Sequence, residues 1–227
     1  MAMLSNLDLI RRVPLFAMLT PAQAESLAGA VSKQRYKRGE CIVSQGDKLD
    51  SLYIILSGRA RVVLTDNKAR QVILSTLHPG DYVGEMSLID REPHSASVEA
   101  EVQTDVLVLG DADFTRCLLE NVSVMVAVMK GLVQRLRSAD RKIESLALTG
   151  VFDRVAQVLL DSAAPDANNI RHLKDKISRQ DLARMVGASR EMVSRVMKDL
   201  EEQGFIETLA DGSLLIKERR KLPRQSP

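Results

Sequence analysis

Ser178 and Ser189 each stand before a run of helix-forming residues, and Val186-Gly187-Ala188 lies between them. A serine at a helix N-cap accepts from backbone amides of the first turn. The pattern therefore predicts a helix over 179–185, a turn at 186–188 and a second helix from Arg190. Ala183 is small enough to let the two helices approach, Gly187 can adopt a positive φ, and Leu182, Val186, Val193 and Val196 fill the space between them. At about 100° per residue, Arg190, Ser194, Glu191 and Arg195 of the second helix share one arc of about 140°. Met192, Val193, Val196 and Leu200 fall between about 200° and 300°. Arginine can bind guanine O6 and N7 through both arms, and glutamate can accept from cytosine N4. Arg179, Gln180 and Ser189 flank that helix start and suit phosphate oxygens. The alternative is a solvated face with Glu191 and Arg195 paired at i, i+4.

A second group carries different chemistry. Gly84 lets backbone amides approach an anion, Glu85 can accept from a sugar hydroxyl, and Ser95 can donate to a phosphate. An ordinary strand-turn-strand is the alternative for these residues. His78, His94 and His172 lie in three separate segments, and the two cysteines, Cys41 and Cys117, make neither a disulfide framework nor a four-ligand metal site. No metal site is expected, and an enzyme of the metal-dependent jelly-roll type lacks its ligand cluster. The chain is read as a non-enzyme. Trp is absent and aromatics make up 3% of the chain, which leaves little for stacking bases.

The elements that position these groups follow from periodicity. Short apolar runs at Cys41, Leu52, Ala60, Gln71, Ser97 and Val106 alternate with Gly39, Gly46, Gly58, Gly80 and Gly84, the pattern of an antiparallel sandwich or jelly roll. Residues 21–31 read as a helix capped at Thr20-Pro21. Residues 122–148 carry Val122, Met125, Val126, Met129, Leu132, Val133, Leu136, Ile143 and Leu146 at alternating steps of three and four. One helix of that length runs about 40 Å and is expected to form a dimer seam, with Gly131 permitting close backbone approach. Another helix covers about 152–162, then a polar loop at 163–171. After Gly204 a hairpin turning at Asp211-Gly212 completes a winged helix. The expected class is α+β: a jelly-roll effector domain over 1–120, a dimerisation helix and hinge over 121–150, and a winged helix-turn-helix over 151–227.

Charge divides along the same lines. Residues 171–227 hold 13 Lys and Arg against 9 Asp and Glu, leaving 19 against 21 before them, so a net charge of +2 sums a basic end and a mildly acidic remainder. A sensing part joined to a polyanion-binding part has this distribution. No apolar stretch is long enough to span a bilayer, and residues 1–16 carry Asp8, Arg11 and Arg12 without a cleavage pattern, so a cytoplasmic protein with no membrane partner is expected.

The stretch from Ile177 to Val196 resembles the DNA-binding helices of the cyclic-AMP receptor protein / fumarate-nitrate regulator (Crp-Fnr) family of bacterial transcription regulators. Val83-Gly84-Glu85-Met86-Ser87-Leu88 with Pro93-His94-Ser95-Ala96 resembles its phosphate-binding cassette. The resemblance implies a homodimer on palindromic double-stranded DNA, with TGTGA-like half-sites read by Arg190, Glu191 and Arg195. It implies effector contacts from Gly84, Glu85, Met86, Ser87, His94, Ser95 and Ala96, and an RNA-polymerase contact from the loop at 163–171. His94 stands where cyclic-AMP binders of the family place an arginine, and Ala139-Asp140 where they offer adenine a Thr-Ser pair. Asp140 can accept from a guanine edge, with Arg137 or Arg141 nearby, so cyclic di-GMP is expected alongside cyclic AMP as candidate effector. A nucleotide module acting through a protein partner, or a regulator without a nucleotide, is the alternative. The N-terminal cysteine group of an iron-sulfur sensor is missing from residues 1–40.

Overall fold

The computed structural model describes residues 5–48, 51–165, 171–173, 177–209 and 213–217. Within them the chain divides into two compact units, Met1–Ala139 and Asp140–Pro227.

In the first unit, Ser5 and Thr20 close capping boxes with Asp8 and Gln23 and so start α1 (Asn6–Ile10) and α2 (Pro21–Ala30). There follow β1 (Val31–Tyr36), β2 (Cys41–Val43), β3 (Ser51–Ser57), β4 (Ala60–Thr65), β5 (Gln71–Leu77), β6 (Tyr82–Val83), α3 (Glu85–Asp90), β7 (Ser97–Ala100), β8 (Thr104–Gly110), α4 (Asp111–Glu120) and α5 (Val122–Leu148), whose residues from Asp140 on belong to the second unit. The strands form two antiparallel sheets, ordered β1-β8-β3-β6 and β2-β7-β4-β5. The unbroken apolar run of β3 is explained by its neighbours. Leu52 and Ile54 pack with Ile10, Phe16, Leu107, Leu109 and Val124 under the helices, while Tyr53 and Ile55 pack with Ala60, Val98 and Val106 of the sandwich interior. A strand covered on both faces has no polar side to alternate with.

The expected helix at 21–31 ends one residue earlier, because Val31 pairs with Leu109 and opens β1. The alternative of a strand-turn-strand at the cassette is replaced by a helix: Gly84, at φ +98°, turns the chain from β6 into α3. The long helix α5 has the predicted bounds and is bent by 109° from α4. No single helix among the described residues is long and apolar enough to cross a membrane.

The second unit contains α6 (Val151–Ser162), β9 (Ala164–Pro165), β10 (Arg171–Leu173), α7 (Arg179–Val186), α8 (Arg190–Glu202), β11 (Ile206–Thr208) and β12 (Leu214–Ile216). Its strands form one antiparallel sheet, β11-β12-β10-β9. The polar loop expected at 163–171 is thus bounded by a short strand pair, His172 opposite Ala164 and Arg171 opposite Pro165. Residues 166–170, the hairpin turn at Asp211-Gly212 and the tail at 219–227 lie outside the described residues. Val155, Leu159, Leu182, Val193, Met197 and Leu200 are each 2% exposed or less and form the core that fixes α7 and α8.

Candidate functional site

The two helices of the second unit are set by the caps that the sequence shows. Ser178 Oγ accepts from Asp181 N–H at 3.0 Å and donates to the Asp181 carboxylate at 2.9 Å; Ser189 Oγ accepts from Met192 N–H at 3.2 Å. Gly187 takes φ +63° between them, where an added Cβ would meet Leu146 at 3.1 Å. Leu182, Ala183, Val186, Val193 and Val196 are all buried. Gln180, Ser189, Arg190, Glu191, Ser194 and Arg195 are exposed and Arg179 is half-buried. The polar arc of α8 is therefore open along its length, as its wheel predicts. Ser194 Oγ donates to the Arg190 carbonyl at 2.8 Å, which engages its proton within the helix and leaves its lone pairs as acceptors. The Glu191 carboxyl is held below its ordinary range by its own backbone amide first, then by the Ser189 hydroxyl, with Arg190 and Arg195 adding to both. It is ionised and acceptor-only at neutral pH.

One residue that supports this site carries no motif. Arg154 Nε donates to the Val186 carbonyl at 3.0 Å and its Nη1 to the Thr149 carbonyl at 2.6 Å, tying the start of α6 to the turn between α7 and α8. Its signal in the sequence is a single arginine within the apolar pattern of α6.

In the first unit the cassette is built on Gly84. A Cβ there would lie 2.4 Å from the Ser51 carbonyl oxygen, so the chain passes β3 only as glycine. Glu85 follows at 1% exposure, and burial pushes its carboxyl up, with Arg135 pulling it back. Arg135 Nη1 donates to Glu85 Oε1 at 2.6 Å, Nη2 donates to the Tyr82 carbonyl, and the guanidinium carbon stands 5.1 Å from the Tyr82 ring centroid. Glu85 Oε2 has no partner among the described residues. Ser87 Oγ and His94 Nδ1 share a 2.9 Å hydrogen bond, and His94 Nε2, on a residue 6% exposed, has none. Ala96 is buried, while Met86 and Ser95 are exposed. Tyr82 Oη, Glu85 Oε2 and His94 Nε2 are the buried side-chain polar atoms without a partner among the described residues, and such atoms are rare in folded chains.

Arg135 is the residue of the cassette that sequence reasoning missed. A second stripe, Val124, Val128, Gly131 and Arg135, runs along α5 at steps of four, three and four. Val124 and Val128 are buried in the first unit's core. Gly131, expected to serve a seam between helices, instead admits Tyr82: a Cβ would fall 2.2 Å from the Tyr82 hydroxyl. The stripe read from the sequence lies on the other side, with Met129 at 50%, Val133 at 49% and Leu136 at 63% exposure. Arg137, Asp140 and Arg141 are exposed as well.

Residues 33–121 match the cyclic nucleotide-binding domain family and residues 153–224 the Crp-like helix-turn-helix domain family. The chain is 34% identical over 188 residues to the cAMP-activated global transcriptional regulator Vfr of Pseudomonas aeruginosa, covering 80% of this chain and 88% of that protein. It is 33% identical over 175 residues to the cAMP-activated regulator CRP of Escherichia coli, covering 76% and 83%. Among solved structures it is similar to the c-di-GMP-responsive global regulator CLP of Xanthomonas campestris, with TM-score 0.76 and 25% identity over 88% of this chain and all of that one.

Proposed function

The chain belongs to the Crp-Fnr family of DNA-binding transcription regulators, and from that premise we propose a homodimer whose affinity for palindromic DNA with TGTGA-like half-sites is set by a cyclic nucleotide in its jelly roll. The observation that carries the reading is the Arg135–Glu85 pair, which joins the buried carboxylate of the cassette to α5. A ligand hydroxyl that donates to Glu85 Oε2 draws on the same carboxylate that Arg135 holds through Oε1, and so changes how α5 is held. A ligand shifts an equilibrium only by its differential affinity for the two states, and this pair is a contact on which the states can differ.

Cyclic AMP and cyclic di-GMP are both candidate effectors. Vfr and CRP support the first by similarity, and CLP the second. Asp140, exposed with Arg137 and Arg141 on α5, supplies an acceptor for a guanine edge. Cyclic di-GMP is therefore expected to change the anisotropy titration of a labelled TGTGA-type duplex. An unchanged curve with cyclic di-GMP and a shifted one with cyclic AMP would reverse that assignment; no shift with either would remove the nucleotide.

The dimer is read from the exposed row on α5. Met129, Val133 and Leu136 face away from the first unit's core, and a second copy of the same helix covers such a row at heptad spacing. Leu136→Lys is expected to weaken the dimer by about a hundredfold or more, since each copy loses a buried leucine worth about 1.5–3 kcal/mol and gains a charge. Sedimentation equilibrium reads it, and an unchanged dimer would move the interface elsewhere. The protein acts in the cytoplasm as a regulator and not as an enzyme. RNA polymerase is the expected partner of the 163–171 segment.

A further inference from the structure

The cassette holds an imidazole in a restricted setting. His94 N–H donates to the Asp47 carbonyl at 3.0 Å and Gly46 N–H donates to the His94 carbonyl at 2.8 Å, so the backbone on both sides is fixed. Ser87 from α3 occupies Nδ1, and Nε2 is buried with no partner among the described residues. Among the described residues, the charged group that acts on the ring is Asp47, from the turn after β2; Ser87 is neutral. Burial outweighs Asp47 and holds the imidazole below its ordinary value, so the ring is uncharged at neutral pH in the free protein. A neutral imidazole offers one donor and one acceptor, whereas imidazolium donates from both nitrogens and forms the stronger, charge-assisted bond to an anion.

We propose that the cassette takes a phosphodiester together with one proton, carried by His94, so that the protein reads an anionic nucleotide and acidity jointly. The inference rests on the nucleotide reading above. The step balances simply: neutral imidazole takes a proton from solvent at the nitrogen that lacks one, and the resulting cation pairs with a phosphodiester monoanion through Nε2–H. A phosphodiester keeps its single charge across the neutral range, so the proton belongs to the protein. Because the ligand raises the proton affinity of His94, binding strengthens as pH falls from the bound to the free protonation midpoint. Below the free midpoint, where the ring is already charged, binding is level. Glu85 is the other buried titratable group of the cassette, and it is engaged by Arg135. A substitution at His94 separates the two.

Calorimetry of the full chain, with cyclic di-GMP and with cyclic AMP as probes, in buffers of differing ionisation enthalpy, counts the protons. Uptake of about one proton is expected between the free and bound midpoints, with affinity falling about tenfold per unit rise in pH there. His94→Gln keeps a bond to Ser87 and is expected to lose both the uptake and the slope. His94→Arg, charged at every pH, is expected to bind without uptake and without pH dependence. Uptake that persists in His94→Gln overturns the assignment to this residue, and a pH-independent affinity in the unmodified protein overturns the inference. Nucleotide binding by His94→Arg alone would also overturn it while leaving the cassette a nucleotide site. Absence of heat from both probes in all three proteins overturns the nucleotide reading and this inference with it. Thermal melts of the variants guard against misfolding as the cause.

Discussion

Arg195→Ala is expected to lower affinity for a palindromic TGTGA-type duplex by about thirtyfold or more, because each of the two half-sites would lose the proposed bidentate base contact, worth about 1–3 kcal/mol. The side chain is exposed near the start of α8, on the arc opposite Val193, Val196, Met197 and Leu200, which are 6% exposed or less. Its loss therefore leaves the core and the melting temperature unchanged, and the effect belongs to binding. Glu191→Ala has a different signature. Removing an acceptor that is ionised at neutral pH relaxes the choice of base opposite it more than it weakens binding overall, so a library of half-sites shows degeneracy at one position. Arg179→Ala is expected to weaken all sequences alike and to lower the salt dependence by about two counterions per dimer, as loss of one phosphate contact in each half-site does. Anisotropy titrations of the three variants against matched and scrambled duplexes distinguish these outcomes. Full specific affinity in Arg195→Ala would take base reading away from this face of α8 and return it to a solvated surface.

What could be read in the sequence is what local physics fixes. The second helix pair is marked by Ser178, Gly187 and Ser189, each acting on amides or torsions within a turn of itself, and its two faces follow from a period of 3.6. The long helix has the predicted bounds because its apolar steps continue without a breaker. The site contacts that were missed join distant residues. Arg135 meets Glu85 across fifty positions, and Tyr82 fills the space over Gly131 across forty-nine. Neither residue announces a partner, although the stripe of Val124, Val128, Gly131 and Arg135 marks the face on which a partner had to lie. Gly131 was legible as a place of close approach, and what approaches it is an aromatic ring of the same unit. Short strands were hidden for another reason: β6 and β9 have two residues each, too few to show alternation.

Gly84→Ala is expected to destabilise the first unit by about 2–5 kcal/mol. A non-glycine residue in the left-handed region costs about 1–2 kcal/mol before any contact is considered. At φ +98° the new methyl would also lie 2.4 Å from the Ser51 carbonyl oxygen and 3.6 Å from the Leu52 Cα, both backbone atoms of β3. β3 is the strand least able to yield, since Leu52, Ile54 and Ile55 are 1% exposed or less and pack on two sides. The clash must then be relieved by β6 and α3, at a further cost of about 1–3 kcal/mol. At about 2–4 °C per kcal/mol for a chain of this size, the melting transition of the jelly roll falls by on the order of 10 °C. Gly39→Ala supplies the comparison: its φ is +85° with open space around the added methyl, so it carries the torsional cost alone. Equal melts for the two variants would mean that Ser51 moves freely and that Gly84 is chosen only for its torsion. The direction of relief matters for ligand binding too. Glu85 is the next residue after Gly84, so a displaced α3 draws its carboxylate from Arg135 and exposes a buried ion pair to separation. Nucleotide affinity and stability are therefore expected to fall together in Gly84→Ala, and stability alone, by the smaller amount, in Gly39→Ala.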